Sequence, residues 1–182
     1  MGYVSRFIFV LPLILSISIR PHQVIAKNAT APGDLISKTC QNAVNEELCV
    51  QTLRADPNSK QADASGLAKI AIKLALANAT AISDQVKKLL ATTTGHYEKT
   101  RLTDCNENYA TAIDQLEDSL AAINSNGIND ATTWVQAAMT DSETCEDGFE
   151  EEPGHKSMLS DKSTLFQQLC GNALAILNTL PH

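Results

Sequence analysis

The chain has 182 residues, 43% of them apolar but only 4% aromatic, and its 21 acidic side chains against 14 basic ones give a formal charge of -7. That length suits one domain with a core of its own. The acid surplus disfavours nucleic acid or any other polyanion, because long-range repulsion opposes the approach, and leaves a protein or a neutral ligand as the expected partner.

Residues 1–26 read as a secretory signal peptide. Arg6 supplies the positive start, 7–19 is an apolar run, and Val24-Ile25-Ala26 offers small or aliphatic residues for cleavage. The run falls short of the ~20 apolar residues a membrane-spanning helix needs. No second apolar stretch of that length is read further on. The expected mature chain, 27–182, is therefore free of the membrane. It is expected to be secreted, to the apoplast and cell wall in a plant setting, with the vacuole as the alternative. Loss of Arg6 and Arg20 with the leader takes the charge to -9. Two sequons make Asn28 and Asn78 candidate N-glycosylation sites. A glycan on Asn78 requires its side of the helix to face water.

Alternation of Val, Ile and Thr is nearly absent, and a 3.6-residue period dominates. Two short helices are expected over 35–44 and 46–53, forming a hairpin within 34–55. Isolated helices this short are marginal in water, so they need a clamp or a surface to lie on. Asp56-Pro57-Asn58-Ser59 reads as a linker. Four long helices then fill 63–181. The first starts at Asp63 as N-cap and ends before Gly95. Its buried stripe is sketched by Leu67, Ile70, Ala71, Leu74, Ala77 or Asn78, Ala81 and Leu89.

The second long helix, 99–123, steps by three and four through Leu102, Cys105, Tyr109, Ala112, Leu116, Ser119 and Ile123, with Ile113 and Leu120 widening the face. An Asn- and Gly-rich turn follows over 124–129. The third helix, 130–149, repeats the step at Val135, Ala138, Ser142, Cys145 and Phe149, and Pro153-Gly154 breaks it. The fourth, 160–180, turns Leu165, Phe166, Leu169, Ala173, Ile176, Leu177 and Leu180 inward, and Pro181 ends it. The expected fold is all-α, an antiparallel up-down four-helix bundle carrying an N-terminal helical hairpin.

Of five cysteines, Cys40 and Cys49 are well placed for one bridge and Cys105 and Cys145 for another, which leaves Cys170 over. Two disulfides and one thiol suit a secreted protein. If the second and third long helices are antiparallel neighbours folded near residue 126, Cys105 lies about 21 positions before the turn and Cys145 about 19 after it. At ~1.5 Å rise per residue the mismatch is ~3 Å, within disulfide reach. Cys170 has no match in that register and borders an apolar stripe, so it is expected to be a buried structural thiol.

Taken together, these residues resemble the plant invertase/pectin methylesterase inhibitors over almost the whole mature chain. Cys105-Asn-Glu-Asn-Tyr109 with Ala110-Thr-Ala-Ile-Asp114, Trp134-Val-Gln-Ala-Ala138 with Thr144-Cys145-Glu-Asp-Gly-Phe149, and Leu169-Cys170-Gly-Asn-Ala-Leu174 with Asn178-Thr-Leu-Pro181 carry the likeness, and all five cysteines fall into place. The resemblance implies a bundle with a protruding hairpin. It also implies one of two roles: capping pectin methylesterase in a one-to-one complex over its substrate cleft, or blocking acid invertase (beta-fructofuranosidase) in the wall or vacuole. Both branches share the fold, so fold alone does not choose. The segments 105–114 and 169–181 resemble the pectin methylesterase branch. The Pro-Lys-Phe that well-known invertase inhibitors carry before the third helix is replaced here by Asn124-Ser-Asn-Gly-Ile-Asn129. By resemblance, Glu107, Asp114, Thr144 and Asp147 match positions at or supporting the esterase-facing surface, and Thr111 stands where a close relative has an acid. Glu107 and Asp147 are the groups through which mildly acidic surroundings would tune affinity.

Three other classes are weaker. An enzyme needs a histidine beside a nucleophile, yet His22, His96, His155 and His182 fall in leader, loops or tail. A di-metal bundle needs inward Glu-x-x-His pairs, which the sequence lacks, so no metal and no cofactor are expected. The run Glu146, Asp147, Glu150, Glu151, Glu152 reads instead as a solvated helix end, and acids there oppose the helix dipole, which hints at a partner-facing role. A small-ligand carrier is disfavoured because the high alanine content favours close packing over a cavity, and Trp134 reads as packing.

Overall fold

The computed structural model describes residues 32–181, so the expected leader, Asn28, His22 and His182 lie outside the described residues. Six α-helices follow one another: α1 (Pro32–Cys40), α2 (Glu46–Ala55), α3 (Ala64–Thr92), α4 (His96–Asn124), α5 (Ile128–Glu150) and α6 (Ser160–Leu177). No strand occurs among the described residues. In the bundle α4 packs against α5, α3 against α4 and α6, and α5 against α6, an up-down square closed by short connections.

Side-chain caps fix several starts. Asn45 accepts from the Leu48 N–H at the head of α2, and Asp63 from the Gly66 N–H at 2.7 Å at the head of α3. The expected linker is itself ordered as a 3₁₀ turn over Pro57–Lys60, capped by Asp56 on the Asn58 N–H. Between α4 and α5, Asn126 takes φ 61°, its N–H bonds the Ile123 carbonyl, and the Gly127 N–H bonds the Ala122 carbonyl at 2.8 Å. This is a Schellman close with Asn in the left-handed position usually held by Gly. It turns the chain tightly enough to lay α5 antiparallel on α4.

Both bridges form. Cys40–Cys49 staples α1 to α2, and Cys105–Cys145 joins α4 to α5 with a Cα separation of 4.7 Å. Cys170 is a buried free thiol, and burial pushes its pKa up. One turn beyond Cys105, Tyr109 is wholly buried; its hydroxyl lies 2.9 Å from Ser142 Oγ on α5 and 2.9 Å from Ser163 Oγ on α6. Ser163 in turn donates to Glu146 Oε1 at 2.7 Å. A buried polar group in a low-dielectric core is costly unless paired, so this relay holds three helices in one register.

The buried faces of α4 and α5 are those the periodicity predicts, with Ile128 and Ala131 added at the head of α5. Two stripes differ. On α3, Ala77 and Ala81 face solvent and Leu74, Asn78 and Leu89 are only half buried, whereas Ala68, Ile72, Ala75, Ala79, Ile82, Ser83 and Val86 are buried. This helix touches α4, α6 and the hairpin, so its buried arc is broad, and a run of alanines gives little contrast from which to centre it. α3 is also long and apolar enough to cross a bilayer, contrary to the expectation of no further such stretch, but here it is a packed bundle helix. On α6, Leu165 is exposed while Ser163 is buried against Tyr109 and Glu146, and Gly171 and Asn172 are buried under the hairpin turn.

The hairpin does not protrude as the resemblance implies; it lies on the bundle. Its own Ile36, Cys40, Cys49 and Leu53 are buried in the common core. Its 41–45 turn, where α1 has already ended and Val44 is no longer helical, is pinned to α6: the Asn45 N–H donates to Asn172 Oδ1 at 3.0 Å and Asn45 Nδ2 to Gln168 Oε1 at 3.1 Å. Val44 sits on Gly171, where an added Cβ would meet Val44 Cγ2 at 2.7 Å.

Removing the long-range bridge with Cys105→Ser/Cys145→Ser is expected to lower stability by roughly 3–4 kcal/mol, the loop-closure value for a 40-residue separation; urea unfolding measures it. Gly171→Ala is expected to lift the 41–45 turn from its seat. Hydrogen exchange should then accelerate at the Asn45 amide while α4 and α5 amides keep their protection, at a cost of about 1–2 kcal/mol.

Candidate binding groove between α4 and α5

Antiparallel packing of α4 and α5 leaves a seam whose floor at one end is the Cys105–Cys145 bridge. Here the surface forms a groove of about 390 Å³. Arg101, Asp104, Glu107 and Asn108 line it from α4; Thr144, Cys145, Asp147, Gly148 and Glu151 line it from the other side. Positions 101, 104 and 108, and 144, 148 and 151, recur at helical spacing, so each helix presents one row to the groove.

Of the site residues expected from the sequence, the structure brings Glu107, Thr144 and Asp147 together, all exposed. Asp114 is also exposed on α4, but seven residues on, about 10 Å along the axis, and does not line the groove. The Thr144 hydroxyl donates back to the Thr140 carbonyl at 2.9 Å, and Thr111 likewise to the Glu107 carbonyl, so these side chains turn their methyls outward. Asn78 is half buried on α3 with its Oδ1 shut off from solvent, and a glycan there requires that side chain to turn outward.

Arg101, Asp104, Asn108 and Gly148 are not singled out by the sequence, and Glu151 is read there only as part of the acidic helix end. Their signal is visible only once the register is known: Arg101, Asp104, Asn108 and Gly148 lie within one turn of the bridged cysteines, and Glu151 just past the end of α5. Arg101 is the one cation among the lining residues, against Asp104, Glu107, Asp147 and Glu151. Its Nη1 lies 3.1 Å from Glu151 Oε2 and 3.4 Å from Asp104 Oδ2, and its guanidinium stands 5.6 Å from the Tyr97 ring centroid. The Tyr97 hydroxyl donates to the Gly148 carbonyl at 2.9 Å, which ties the first turn of α4 to the last turn of α5. Surface ion pairs of this kind contribute little to stability; here they orient the one positive group in an otherwise acidic groove.

Further along the seam, Asp141 on α5 and Gln115 on α4 are half buried, and both Asp141 Oδ2 and Gln115 Oε1 lack a partner. Burial pushes the Asp141 carboxyl up, and a hydrogen bond from Gln115 partly offsets this. The residues lining the groove include no histidine and no free thiol. The one free thiol is buried in the core, and among the described residues no three His, Cys, Asp or Glu side chains gather to hold a metal ion. What the groove can do is recognise: a stiff, acidic, shaped surface on two helices.

Comparisons with known proteins agree with this form. A family model described as plant invertase/pectin methylesterase inhibitor matches residues 34–176. The pectinesterase inhibitor of Actinidia deliciosa is 34% identical over 180 residues, covering 99% of this chain and 97% of its own. The cell wall / vacuolar inhibitor of fructosidase 2 of Arabidopsis thaliana is 28% identical, covering 97% and 98%. The crystal structure of a pectin methylesterase inhibitor from Arabidopsis thaliana superposes with a TM-score of 0.62 at 26% identity, over 81% of this chain and 96% of that one.

Because the Asp141 carboxyl is raised in the folded state, its contribution to stability is complete below the unfolded value and is lost as pH rises through the folded one. Asp141→Asn is therefore expected to be more stable than the parent at pH 7, with the gap closing below about pH 4. Thermal unfolding across that range checks the sign.

Proposed function

As the chain belongs to the plant invertase/pectin methylesterase inhibitor family, a family of inhibitor proteins and not enzymes, we propose that it inhibits pectin methylesterase by a one-to-one complex that covers the substrate cleft. The observation that carries this reading is the α4–α5 face. Its Glu107, Thr144 and Asp147 sit in one groove, rigidly held by the Cys105–Cys145 bridge, and Asp114 extends the same helix face by two turns.

Such a face works by occlusion. A specific protein–protein interface buries ~1,600 Å² in total, and two stiff helices can present that area without the ordering cost that flexible loops incur. A polymer is then shut out with no chemistry on the inhibitor's side. The acidic groove calls for basic or hydrogen-bond-donating groups on the enzyme's rim, which would raise the association rate at low salt. The place of action is the cell wall, reached through the secretory leader at 1–26, in keeping with relatives active in wall or vacuole. Acid invertase is the second target. The likeness to the fructosidase inhibitor over nearly the whole chain supports this second reading.

Titrating the protein into pectin methylesterase and acid invertase side by side tests the reading. Loss of pectin demethylation with sucrose cleavage intact is expected, and the converse would transfer the role to invertase. Glu107→Lys with Asp147→Lys is expected to weaken the esterase complex by at least about tenfold, or about 1.4 kcal/mol, with an unchanged helical circular-dichroism spectrum.

A further inference from the structure

The segment 151–159 between α5 and α6 crosses over the first turn of α4, and one histidine joins the two. His155 Nδ1 lies 3.1 Å from Glu98 Oε1 on α4, its Nε2 lies 3.5 Å from Glu152 Oε2, and its ring packs on Tyr97 with centroids 4.4 Å apart. The Tyr97 hydroxyl also accepts from the Glu152 N–H at 3.2 Å. Glu151, the next residue back, holds Arg101 in the groove wall. A path of direct contacts therefore runs from His155 to the groove through Tyr97, Glu152 and Glu151.

An imidazole set between two carboxylates can donate to both only when both ring nitrogens carry protons; the neutral ring turns a lone pair toward one of them. Histidine side chains exchange these forms between about pH 5 and 8. We propose that His155 is a pH-sensing positioning residue: protonated, it clamps 151–159 onto α4 and steadies the Glu151–Arg101 wall of the groove; neutral, it lets that wall loosen. The link to target binding rests on the inhibitor reading above.

Charged groups face the ring from each element packed against it. Glu98 faces it from α4, where His96 is exposed, and Glu152 faces it from its own segment. Glu146 and Glu150 of α5, Lys156, and the Ser157 and Ser160 hydroxyls line the adjoining 400 Å³ cleft with it. Arg101 stands behind the Tyr97 ring, 5.6 Å from its centroid. Only the doubly protonated ring can donate to Glu98 and Glu152 together, so the clamp is closed at low pH and lost as pH rises. Glu146 accepts from the Ser157 and Ser160 hydroxyls at 2.9 Å each, which anchors the far end of the segment without the histidine. The Glu98 carboxylate folds back over Gly95, so a methyl there displaces it without altering any charge.

Amide hydrogen exchange of the full chain, corrected for intrinsic rates, reads the clamp directly. Protection over 151–158 is expected to be about 2- to 10-fold greater at pH 5.5 than at 7.5, the range for two partly exposed ion pairs. His155→Gln should abolish the difference, and Glu98→Gln and Gly95→Ala should reduce it. Equal protection at both pH values in the parent, or a parent-like response in His155→Gln, would overturn the clamp. The affinity of the parent for pectin methylesterase should weaken between pH 5.5 and 7.5 by a similar factor more than that of His155→Gln. Identical pH profiles in the two would overturn the positioning role. If the parent binds no esterase at any pH, the esterase reading fails, while the exchange experiment still decides the clamp.

Discussion

The covalent and polar pinning of α4 to α5 is the constraint on which the rest of the molecule turns. Cys105–Cys145 fixes where the two helices meet, and one turn deeper Tyr109 engages Ser142 and Ser163, with Glu146 completing the chain. A disulfide alone would leave two helices free to roll about the bridge. The buried hydroxyls remove that freedom, because rolling would strand Tyr109 in an apolar core. Register and rotation are both set, and the groove above the bridge inherits its shape from them.

The remaining parts attach to this pair in graded fashion. α3 and α6 complete the bundle through apolar packing, with alanines that allow close approach. The hairpin is held more lightly, by its own staple and by the contacts of Asn45 and Val44 with α6. The 151–159 segment is held by a histidine, a tyrosine hydroxyl and a carboxylate that gathers three serines. Rigidity is thus concentrated where a partner must be met by a fixed surface, and adjustability lies at its border.

How far the sequence discloses this depends on contrast. α4 and α5 alternate buried apolar residues with charged ones, so their faces, and from them the Cys105–Cys145 register, are legible from spacing alone. In α3 alanines recur at 75, 77, 79 and 81, on several sides of the helix, so they give little contrast from which to centre the buried stripe, and Ala77 and Ala81 lie in solvent. Leu165 shows the converse error: a leucine at a plausible position left exposed because α6 turns toward the hairpin. The seating of that hairpin rests on Asn45 and Asn172, 127 residues apart, and on a glycine whose role is to be absent under Val44. No local pattern encodes such a contact. The groove was half legible. Glu107, Thr144 and Asp147 follow from resemblance and Glu151 from the acidic run, but Arg101, Asp104, Asn108 and Gly148 belong to it only through the register, and Asp114 lies beyond its edge.

The central claim is that the α4–α5 face is what the target enzyme meets. Hydrogen-exchange footprinting of the inhibitor with and without saturating pectin methylesterase tests it most directly. The account predicts new protection across 101–108 and 144–151, with the outer faces of α3 and α6 unchanged. Protection confined to the hairpin or to α3 and α6, with the groove exchanging as in the free protein, would contradict it.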